Sequence, residues 1–358
     1  MDPNLSMGAG KVLIPLLVVM TSLFSTTRAA AQEDWQTALQ ERLAAADAAF
    51  PGDVGVFVKD LRTQQSVSFR AEESWYIASV IKVPVAVEVM RRVEAGELSL
   101  DDEVTLRPTD YVDGAGQTHW EPAGTRFPVR HLMDRMLTVS DNTATDMLIR
   151  LVGLEAVNRL ARDWGEDGMG EITTLADVRR HAYSTFHPRA FELTGANLLQ
   201  LRQQPIGAKR VQALADILGV KKSEFGMPDL DRAFAAYYAT NLNAATLHAV
   251  GRMLEKLAWG DSLAERESTS HVLGVMRNVV TGQKRIKAAL PKGYVFAHKT
   301  GTQYARTCDA GIIHPIGEDA AKGVIVAACT RGGPSTARAE KALRGVGKAV
   351  RESGVLMR

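Results

Sequence analysis

Short β-patterned segments lie near both ends of this 358-residue chain, and the long stretch between them is patterned as helices. Residues 54–58 and 66–69 alternate apolar and polar side chains around a polar turn, which predicts two strands. Residues 294–302, 309–314 and 324–330 are short, β-rich and separated by turns. Strands at both ends with helices between them predict an α+β fold. Its antiparallel sheet is built from both chain ends and covered by helices.

The helical stretch predicts a separate all-helical lobe. We place the lobe at residues 98–249, with the sheet-containing part formed by residues 32–97 and 250–358. Within the lobe, about residues 177–240 read as an inserted segment of two or three added helices. We therefore expect a single domain over residues 32–358 rather than two independent ones.

Composition excludes several classes of function. The formal net charge is +2, which offers no basic surface for nucleic acid or for an anionic membrane. The chain has 8 histidines but no Cys-x-x-Cys pair, no His-x-x-x-His pair and no dense acidic cluster, so we predict neither a metal site nor a cofactor.

The N-terminal thirty residues have the pattern of an export signal. Lys11 precedes the apolar run Val12–Phe24, and Ala29–Ala31 gives the small residues that precede a cleavage site. We predict a signal peptide over residues 1–31, cut after Ala31, and a periplasmic or secreted mature protein without stable membrane insertion. The alternative is an uncleaved N-terminal anchor, although the run is short for a span of about 20 residues.

Ser79-Val80-Ile81-Lys82 is the first candidate catalytic motif. A serine hydroxyl needs a neighbouring base, and residues three apart at a helix start share a face, so Lys82 is placed to contact Ser79. Apolar neighbours predict that Lys82 is buried, which lowers the pKa of its amine toward the range of a base. The alternative is a solvated lysine on an ordinary helix, and this tetrapeptide alone does not decide between them.

Two more short motifs follow in the chain. Ser140-Asp141-Asn142 stands between two amphipathic helical segments, where it also fits a plain helix cap. Lys299-Thr300-Gly301-Thr302 ends a predicted strand, where Gly301 permits close approach of another backbone or a ligand and Lys299 can hold a carboxylate. A strand running into a turn explains this second motif equally well when it is taken alone.

The ordered set Ser-x-x-Lys, Ser-Asp-Asn and Lys-Thr-Gly is the signature of class A β-lactamases and penicillin-binding proteins. Residues 125–148 (TRFPVRHLMDRMLTVSDNTATDML) resemble the corresponding helix and loop of class A β-lactamases, and residues 307–315 (TCDAGIIHP) resemble the strand after the third motif. The chain thus resembles the class A β-lactamase family within the penicillin-recognising serine hydrolases. The resemblance holds at both ends of the mature chain and fails in the middle.

The resemblance implies a catalytic role for three residues. Ser79 would attack a carbonyl and become acylated, Lys82 would accept or relay its proton, and Ser140 would pass a proton toward the leaving nitrogen. The backbone amides of Ser79 and Thr302 would form the oxyanion hole.

The resemblance also implies a substrate-binding set. Asn142 would bind the side-chain amide of the substrate, and Lys299 and Thr300 would contact its carboxylate beside Gly301 and Thr302. The expected partner is a small-molecule β-lactam or a peptidoglycan peptide.

The sequence departs from the family where deacylation is concerned. The Glu-x-x-Leu-Asn motif, whose glutamate activates the hydrolytic water in class A enzymes, is not found in this chain. The candidate replacements are Glu171, Asp177 and Glu192, of which Glu192 attracts most interest because Asn197 follows within about a turn. An exposed helix residue remains the alternative for Glu192.

Histidines offer further candidates for the base. His181 and His187 lie in the inserted segment, and either could titrate near neutral pH, although a lone histidine is more often structural. His298 precedes Lys299, but neighbours on a strand point to opposite faces, so we expect it to face away from the site.

The cysteines Cys308 and Cys329 are equidistant from a predicted hairpin turn at residues 317–319. Facing residues on antiparallel strands lie about 5 Å apart, which permits a disulfide if the register is right. Two buried thiols are an equal alternative.

The leading function is β-lactam hydrolysis through a Ser79 acyl-enzyme. A peptidoglycan D-alanyl-D-alanine carboxypeptidase shares every motif, and the missing glutamate favours it. An esterase with the same Ser-Lys pair is a weaker alternative. A non-catalytic penicillin-binding sensor ranks last because the chain shows no spanning segment beyond its signal-like N-terminus.

Overall fold

Strands from both ends of the chain pair in one five-stranded antiparallel sheet, in the order β2-β1-β9-β8-β7. The computed structural model describes residues 35–333 and 335–357. The predicted signal peptide and its cleavage site lie outside the described residues. In chain order the strands are β1 (Asp53–Asp60), β2 (Ser66–Phe69), β3 (Trp75–Tyr76), β4 (Glu103–Thr105), β5 (Arg126–Pro128), β6 (Ala244–Ala245), β7 (Tyr294–Gln303), β8 (Arg306–Pro315) and β9 (Val324–Arg331).

Helices cover both faces of this sheet, and two short strand pairs, β3-β6 and β4-β5, lie outside it. They are α1 (residues 35–48), α2 (Lys82–Glu94), α3 (Val129–Thr138), α4 (Asn142–Val152), α5 (Leu154–Gly165), α6 (Leu175–Ser184), α7 (Gly195–Arg202), α8 (Ala208–Leu218), α9 (Leu230–Tyr238), α10 (Leu247–Trp259), α11 (Arg266–Arg277) and α12 (Thr336–Glu352). No helix of the described chain has the length and apolar character that crossing a membrane requires. The predicted α+β fold, with its antiparallel sheet drawn from both chain ends, is confirmed.

The two faces of the sheet pack against different cores. On one face, α1 and α12 bury an apolar cluster against the sheet, including Trp35, Leu39, Phe296 and Leu343. On the other face, the larger core joins the sheet to the helical lobe and contains most of α2 and α4. Alternation along β7 sends Phe296 to the first core and Ala297 to the second, so each strand residue has a fixed side.

The strand register brings the two cysteines together. Cys308 on β8 stands directly opposite Cys329 on β9, and the two form a disulfide with a Cα–Cα distance of 4.1 Å. The sequence left a disulfide and two free thiols as equal alternatives, and the structure contains the disulfide. It crosslinks the strand that is paired with β7.

Candidate active site

Ser79 lies in a tight 3₁₀ turn, Ala78–Ile81, that leads directly into α2. Ala78 has a φ of +49°, a left-handed conformation that is strained for any residue with a Cβ atom. Backbone strain of this kind is stored at functional sites when the surrounding fold holds it in place. Here the turn leaves Ser79 partly exposed, on the wall of a large cavity.

The turn that holds Ser79 packs tightly against Gly301 on β7. A Cβ atom on Gly301 would lie 2.4 Å from the carbonyl oxygen of Ile77 and 3.1 Å from the Ala78 Cβ, so only glycine fits there without a shift of backbone. The sequence predicted that a backbone or a ligand comes close to Gly301, and in the structure it is the backbone of the turn that holds Ser79. It places the end of β7 beside Ser79.

Lys82 is fully buried, and its amine contacts the second motif. Its Nζ donates to the Ser140 carbonyl (2.7 Å), the Ser140 hydroxyl (3.2 Å) and Asn142 Oδ1 (2.8 Å). Burial lowers the pKa of Lys82 to about 7, although the negative charges of Asp141 and Asp146 oppose that shift. In the described chain the amine has no hydrogen bond to Ser79, because its three donors are all taken by these acceptors.

The second motif is at once a helix cap and a wall of the cavity. Asp141 is the N-cap of α4, where its Oδ1 accepts from the Ala144 amide, and its Oδ2 accepts from both the amide and the hydroxyl of Thr118. Ser140, just before the cap, has a φ of +61°. That left-handed turn places its hydroxyl between Lys82 and Lys299, whose Nζ atoms are 3.2 Å and 3.0 Å away. The motif therefore caps α4 and also contributes Ser140 and Asn142 to the cavity lining.

Asn142 connects the buried amine to the loop in front of the cavity. Its Oδ1 accepts from Lys82, and its Nδ2 donates to the carbonyl oxygen of Asp113 at 2.8 Å. Asp113 in turn pairs with Arg179 of α6 at 2.5 Å. The inserted segment is thus tied to the second motif through a buried chain of polar contacts.

Lys299 lies on the site-facing side of β7 and is also fully buried. Its Nζ donates to the hydroxyl of Ser140 and to the carbonyl of Thr300, each at 3.0 Å. Burial, with the nearby positive charges of Lys82 and Arg285, lowers the pKa of Lys299 well below its ordinary value.

A cavity of about 840 Å³ opens above these residues. Its walls combine the motif residues with residues from the inserted segment. The motif residues that line it are Ser79, Ser140, Asn142, Thr300 and Thr302. Lys82 and Lys299 lie beneath this lining and contact it through Ser140.

Glu192 does not lie with these residues, which corrects its place as the preferred base. Its side chain is 66% exposed at the end of the 3₁₀ turn Pro188–Glu192 and pairs with Arg189. Asn197, which drew attention to it, closes a capping box with Thr194 at the start of α7. The Glu-Asn spacing is therefore a helix-start signal.

The other candidate bases also lie outside the cavity lining. Asp177 lies in the first turn of α6, where it accepts from the hydroxyl of the N-cap Thr174 and pairs with Arg180, while Glu171 is exposed. Of the histidines, His181 packs against Phe191, and His187 caps its own short turn.

His298 lies on the far side of the sheet, as the strand alternation predicts. It stacks on Phe296 and pairs with Asp309 at 2.7 Å, with both side chains fully buried. This pair belongs to the core beneath α1 and α12 and does not face the cavity.

The face of α6 that lines the cavity carries Leu175, Val178 and Arg179. These positions share one helix face, and none of them supplies a carboxylate. A carboxylate does lie behind this wall: Asp146 accepts from the amides of Leu175 (2.7 Å) and Ala176 (2.9 Å). Burial raises the pKa of Asp146 to about 7, and it is not part of the cavity lining.

Arg285 is a functional candidate that the sequence did not single out. Its guanidinium is buried at the cavity wall, where it donates to Thr302 Oγ1 (2.7 Å) and to the carbonyl oxygens of Gly301 (3.1 Å) and Cys308 (2.9 Å). It precedes β7 in a loop without motif character. The one sequence signal that could have indicated it is the presence of an arginine in a turn-rich segment just before the third motif.

An antiparallel sheet with a buried Ser-Lys site at the border of a helical lobe defines the fold of β-lactamases and penicillin-binding proteins. The family model for the beta-lactamase enzyme family matches residues 38–353, and the chain belongs to that family.

Known relatives agree with this assignment. The chain is 23% identical over 313 residues to beta-lactamase VEB-1 of Pseudomonas aeruginosa, covering 85% of this chain and 86% of that protein. The crystal structure of a beta-lactamase from Sphaerobacter thermophilus superimposes with a TM-score of 0.65 at 22% identity, covering 89% of this chain and 98% of that one. A PBP-A variant, solved as an acyl-enzyme complex with penicillin G, gives a TM-score of 0.66 at 20% identity over 88% and 96% of the two chains.

Proposed function

We propose that this chain is a serine hydrolase that opens β-lactam rings through an acyl-enzyme on Ser79. The observation that carries the proposal is the buried Lys82–Ser140–Lys299 hydrogen-bond network directly beneath the cavity wall that Ser79 occupies. A lysine with its pKa near 7 is a competent base at neutral pH, and the hydroxyl of Ser140 contacts both amines. Membership of the beta-lactamase enzyme family supports the same reaction.

The residues divide the acylation step between them. Ser79 Oγ attacks the lactam carbonyl carbon while its proton passes to the neutral amine of Lys82, which exchanges one of its contacts to Ser140 or Asn142 for Ser79 when substrate is bound. The oxyanion is stabilised by the backbone amides of Ser79 and Thr302. The C–N bond then breaks, and the nitrogen takes its proton through the hydroxyl of Ser140. Lys299 and Thr300 hold the substrate carboxylate at the end of β7, and Asn142 holds the acyl side-chain amide.

The lack of a carboxylate among the described residues on the cavity face of α6 favours a second candidate function, that of a peptidoglycan D-alanyl-D-alanine carboxypeptidase. The cavity face of α6 presents Leu175, Val178 and Arg179, so a hydrolytic water would find no carboxylate there to activate it. An acyl-enzyme formed with a penicillin would then hydrolyse slowly, whereas a peptide acyl-enzyme, without a bulky fused ring, would leave more room for water. We further propose export, with cleavage after Ala31, to the periplasm or the medium.

Intact-protein mass spectrometry of the mature protein with a chromogenic cephalosporin, followed together with absorbance, tests the proposal. A transient adduct with continuing colour change supports hydrolysis. A single burst with a persistent adduct supports the carboxypeptidase instead. The Ser79→Ala variant should form no adduct. If it forms as much adduct as the unmodified protein, Ser79 is not the nucleophile.

A further inference from the structure

The cavity extends beyond the three motifs along the inserted helices. Past Asn142 it is bounded by apolar side chains and by charged ones from α8 and α9. The residues of this extension, which we term the distal subsite, are Tyr183, Ile206, Arg210, Leu230, Asp231 and Phe234. Tyr183 lies one turn along α6 from Arg179, whose partner Asp113 accepts a hydrogen bond from Asn142, so the distal subsite adjoins the position where Asn142 would hold the acyl side chain.

Most charges around the cavity are neutralised within the protein. Arg179 pairs with Asp113 at 2.5 Å, and Arg285 pairs with Glu340 at 3.3 Å. These guanidinium groups are therefore already compensated when the cavity is empty.

The distal subsite has two charged residues, Asp231 and Arg210, and the protein stabilises only the first of these charges. Asp231 lies in the first turn of α9, where the helix dipole favours a negative charge, and it accepts a hydrogen bond from the hydroxyl of Tyr304. Arg210 lies in the first turn of α8, where the dipole disfavours a positive charge. No carboxylate of the described residues forms an ion pair with it.

Arg210 is nevertheless held in a fixed position. Its Nε and Nη2 donate to the carbonyl oxygen of Gln204, at 3.1 Å and 2.6 Å, and Nη2 also reaches the carbonyl of Arg202. The guanidinium is partly buried and lies beside Tyr183. Backbone carbonyls hold this guanidinium without neutralising it, so it can still attract an incoming anion, and a carboxylate is one of the anions that arginine binds well.

We propose that Arg210 is a specificity-determining residue, which binds a carboxylate at the far end of the acyl side chain of the substrate. The apolar side chains of Ile206, Leu230 and Phe234 would contact the hydrocarbon part of that side chain. The substrate class is thus an acyl donor whose side chain ends in a carboxylate. This inference rests on the proposed Ser79 acyl-enzyme, and the acyl donor is either a β-lactam or a D-alanyl-D-alanine peptide.

Matched pairs of acyl donors test the inference. Adipyl penicillin and hexanoyl penicillin have side chains with the same number of carbons and differ in the terminal carboxylate, and benzylpenicillin reports acylation itself. The second-order rate constant of acylation is measured by mass spectrometry for each. We expect Arg210→Gln to lower the adipyl-to-hexanoyl ratio about tenfold, and the benzylpenicillin rate of the same variant shows whether acylation itself is retained. Succinyl and glutaryl penicillins then give the reach of the subsite.

Lys209→Gln is the control variant, because it removes the same charge from the next, exposed position of α8. It should leave the ratio unchanged, and an equal fall in both variants would reduce the effect to long-range charge and overturn the proposal. Sodium chloride should lower the ratio in the unmodified protein, which provides a test that needs no variant. If the adipyl-to-hexanoyl ratio of the unmodified protein is near one and does not change with salt, the proposal is also overturned.

The two sources of the acyl donor are separated by N-adipyl and N-hexanoyl D-alanyl-D-alanine, assayed for release of D-alanine. An Arg210-dependent preference for the adipyl peptide assigns the subsite to peptides, and the same preference confined to the penicillins assigns it to β-lactams. Acylation by benzylpenicillin with no carboxylate preference in either series refutes this inference alone. Absence of all acylation refutes the proposed function together with it.

Discussion

The two walls of the cavity are built in different ways. The motif wall, formed by Ser79, Ser140 and the end of β7, rests on two fully buried amines and two left-handed backbone positions, all held by direct hydrogen bonds and close packing. The opposite wall, formed by α6, α8 and α9, is largely apolar on its cavity side and partly exposed. The first wall carries the groups to which we assign acylation. The α6 face of the second wall has no carboxylate among the described residues, which is why we propose that the acyl-enzyme forms more readily than it breaks down.

Removing the buried amine of the motif wall should produce the largest effect. Lys82→Met keeps the length and burial of the side chain but removes the base, so we expect acylation by benzylpenicillin to fall about 10³-fold. Val178→Ala on the opposite wall, measured by the same mass-spectrometric assay, should change acylation less than about tenfold. Comparable losses in both variants would contradict the division between the walls. Circular dichroism and thermal unfolding check that each variant is folded.

The motif wall could be predicted from sequence because its geometry is local. Ser79 and Lys82 are three residues apart at a helix start, Asp141 caps α4, and strand alternation places Lys299 and His298 on opposite faces. The α+β architecture followed from the strand patterns at the chain ends. These features depend on short-range rules that hold wherever the segment packs.

The opposite wall could not be predicted, because it depends on how distant segments pack. Leu175, Arg179 and Arg210 are brought to the cavity by the docking of inserted helices, to which no local pattern corresponds. The lack of such long-range information also explains why Glu192 was wrongly preferred as the base: the nearby Asn197 marks the start of a helix and not a site. The contacts of Lys82 also differ from the expectation, since its amine reaches Ser140 and Asn142 rather than Ser79.

A carboxylate placed on the α6 wall should supply what that wall lacks. Leu175→Glu puts one on the cavity lining in the first turn of α6, where the helix dipole tolerates it, and beside the carboxylate of Asp146, which raises its pKa toward that of a base. We expect release of the penicilloyl group, followed as decay of the mass adduct, to accelerate about 10²-fold. Leu175→Gln has nearly the same shape without the charge and should not accelerate it. Equal rates in the two variants would mean that the added carboxylate does not activate water.

The acylation rate should depend on pH through the motif wall. The pKa of Lys82 is lowered to about 7, and the neutral amine is the base, so the rate should fall about tenfold for each pH unit below that value and level off above it. The negative charge of Asp146 raises the pKa of Lys82, so Asp146→Asn should move the profile to lower pH. Measurement of the acylation rate between about pH 5 and about pH 9 in both proteins checks the direction of this shift. A shift to higher pH in the variant would show that another group controls the profile.

The smallest effect concerns backbone strain, which should matter for acylation at the serine turn but not at the turn between β7 and β8. Ala78 and Ala305 have φ values of +49° and +50°, but only Ala78 belongs to the turn that holds Ser79, whereas Ala305 is exposed between β7 and β8. Glycine relieves the left-handed conformation and loses more entropy on folding, so each alanine-to-glycine variant should gain only about 0.5 kcal/mol in the free energy of unfolding. Acylation should slow a few-fold in Ala78→Gly alone, because a looser turn holds Ser79 less firmly against Gly301. Denaturant unfolding and the benzylpenicillin assay, run on both variants, separate a strain that positions the nucleophile from one that merely closes a turn.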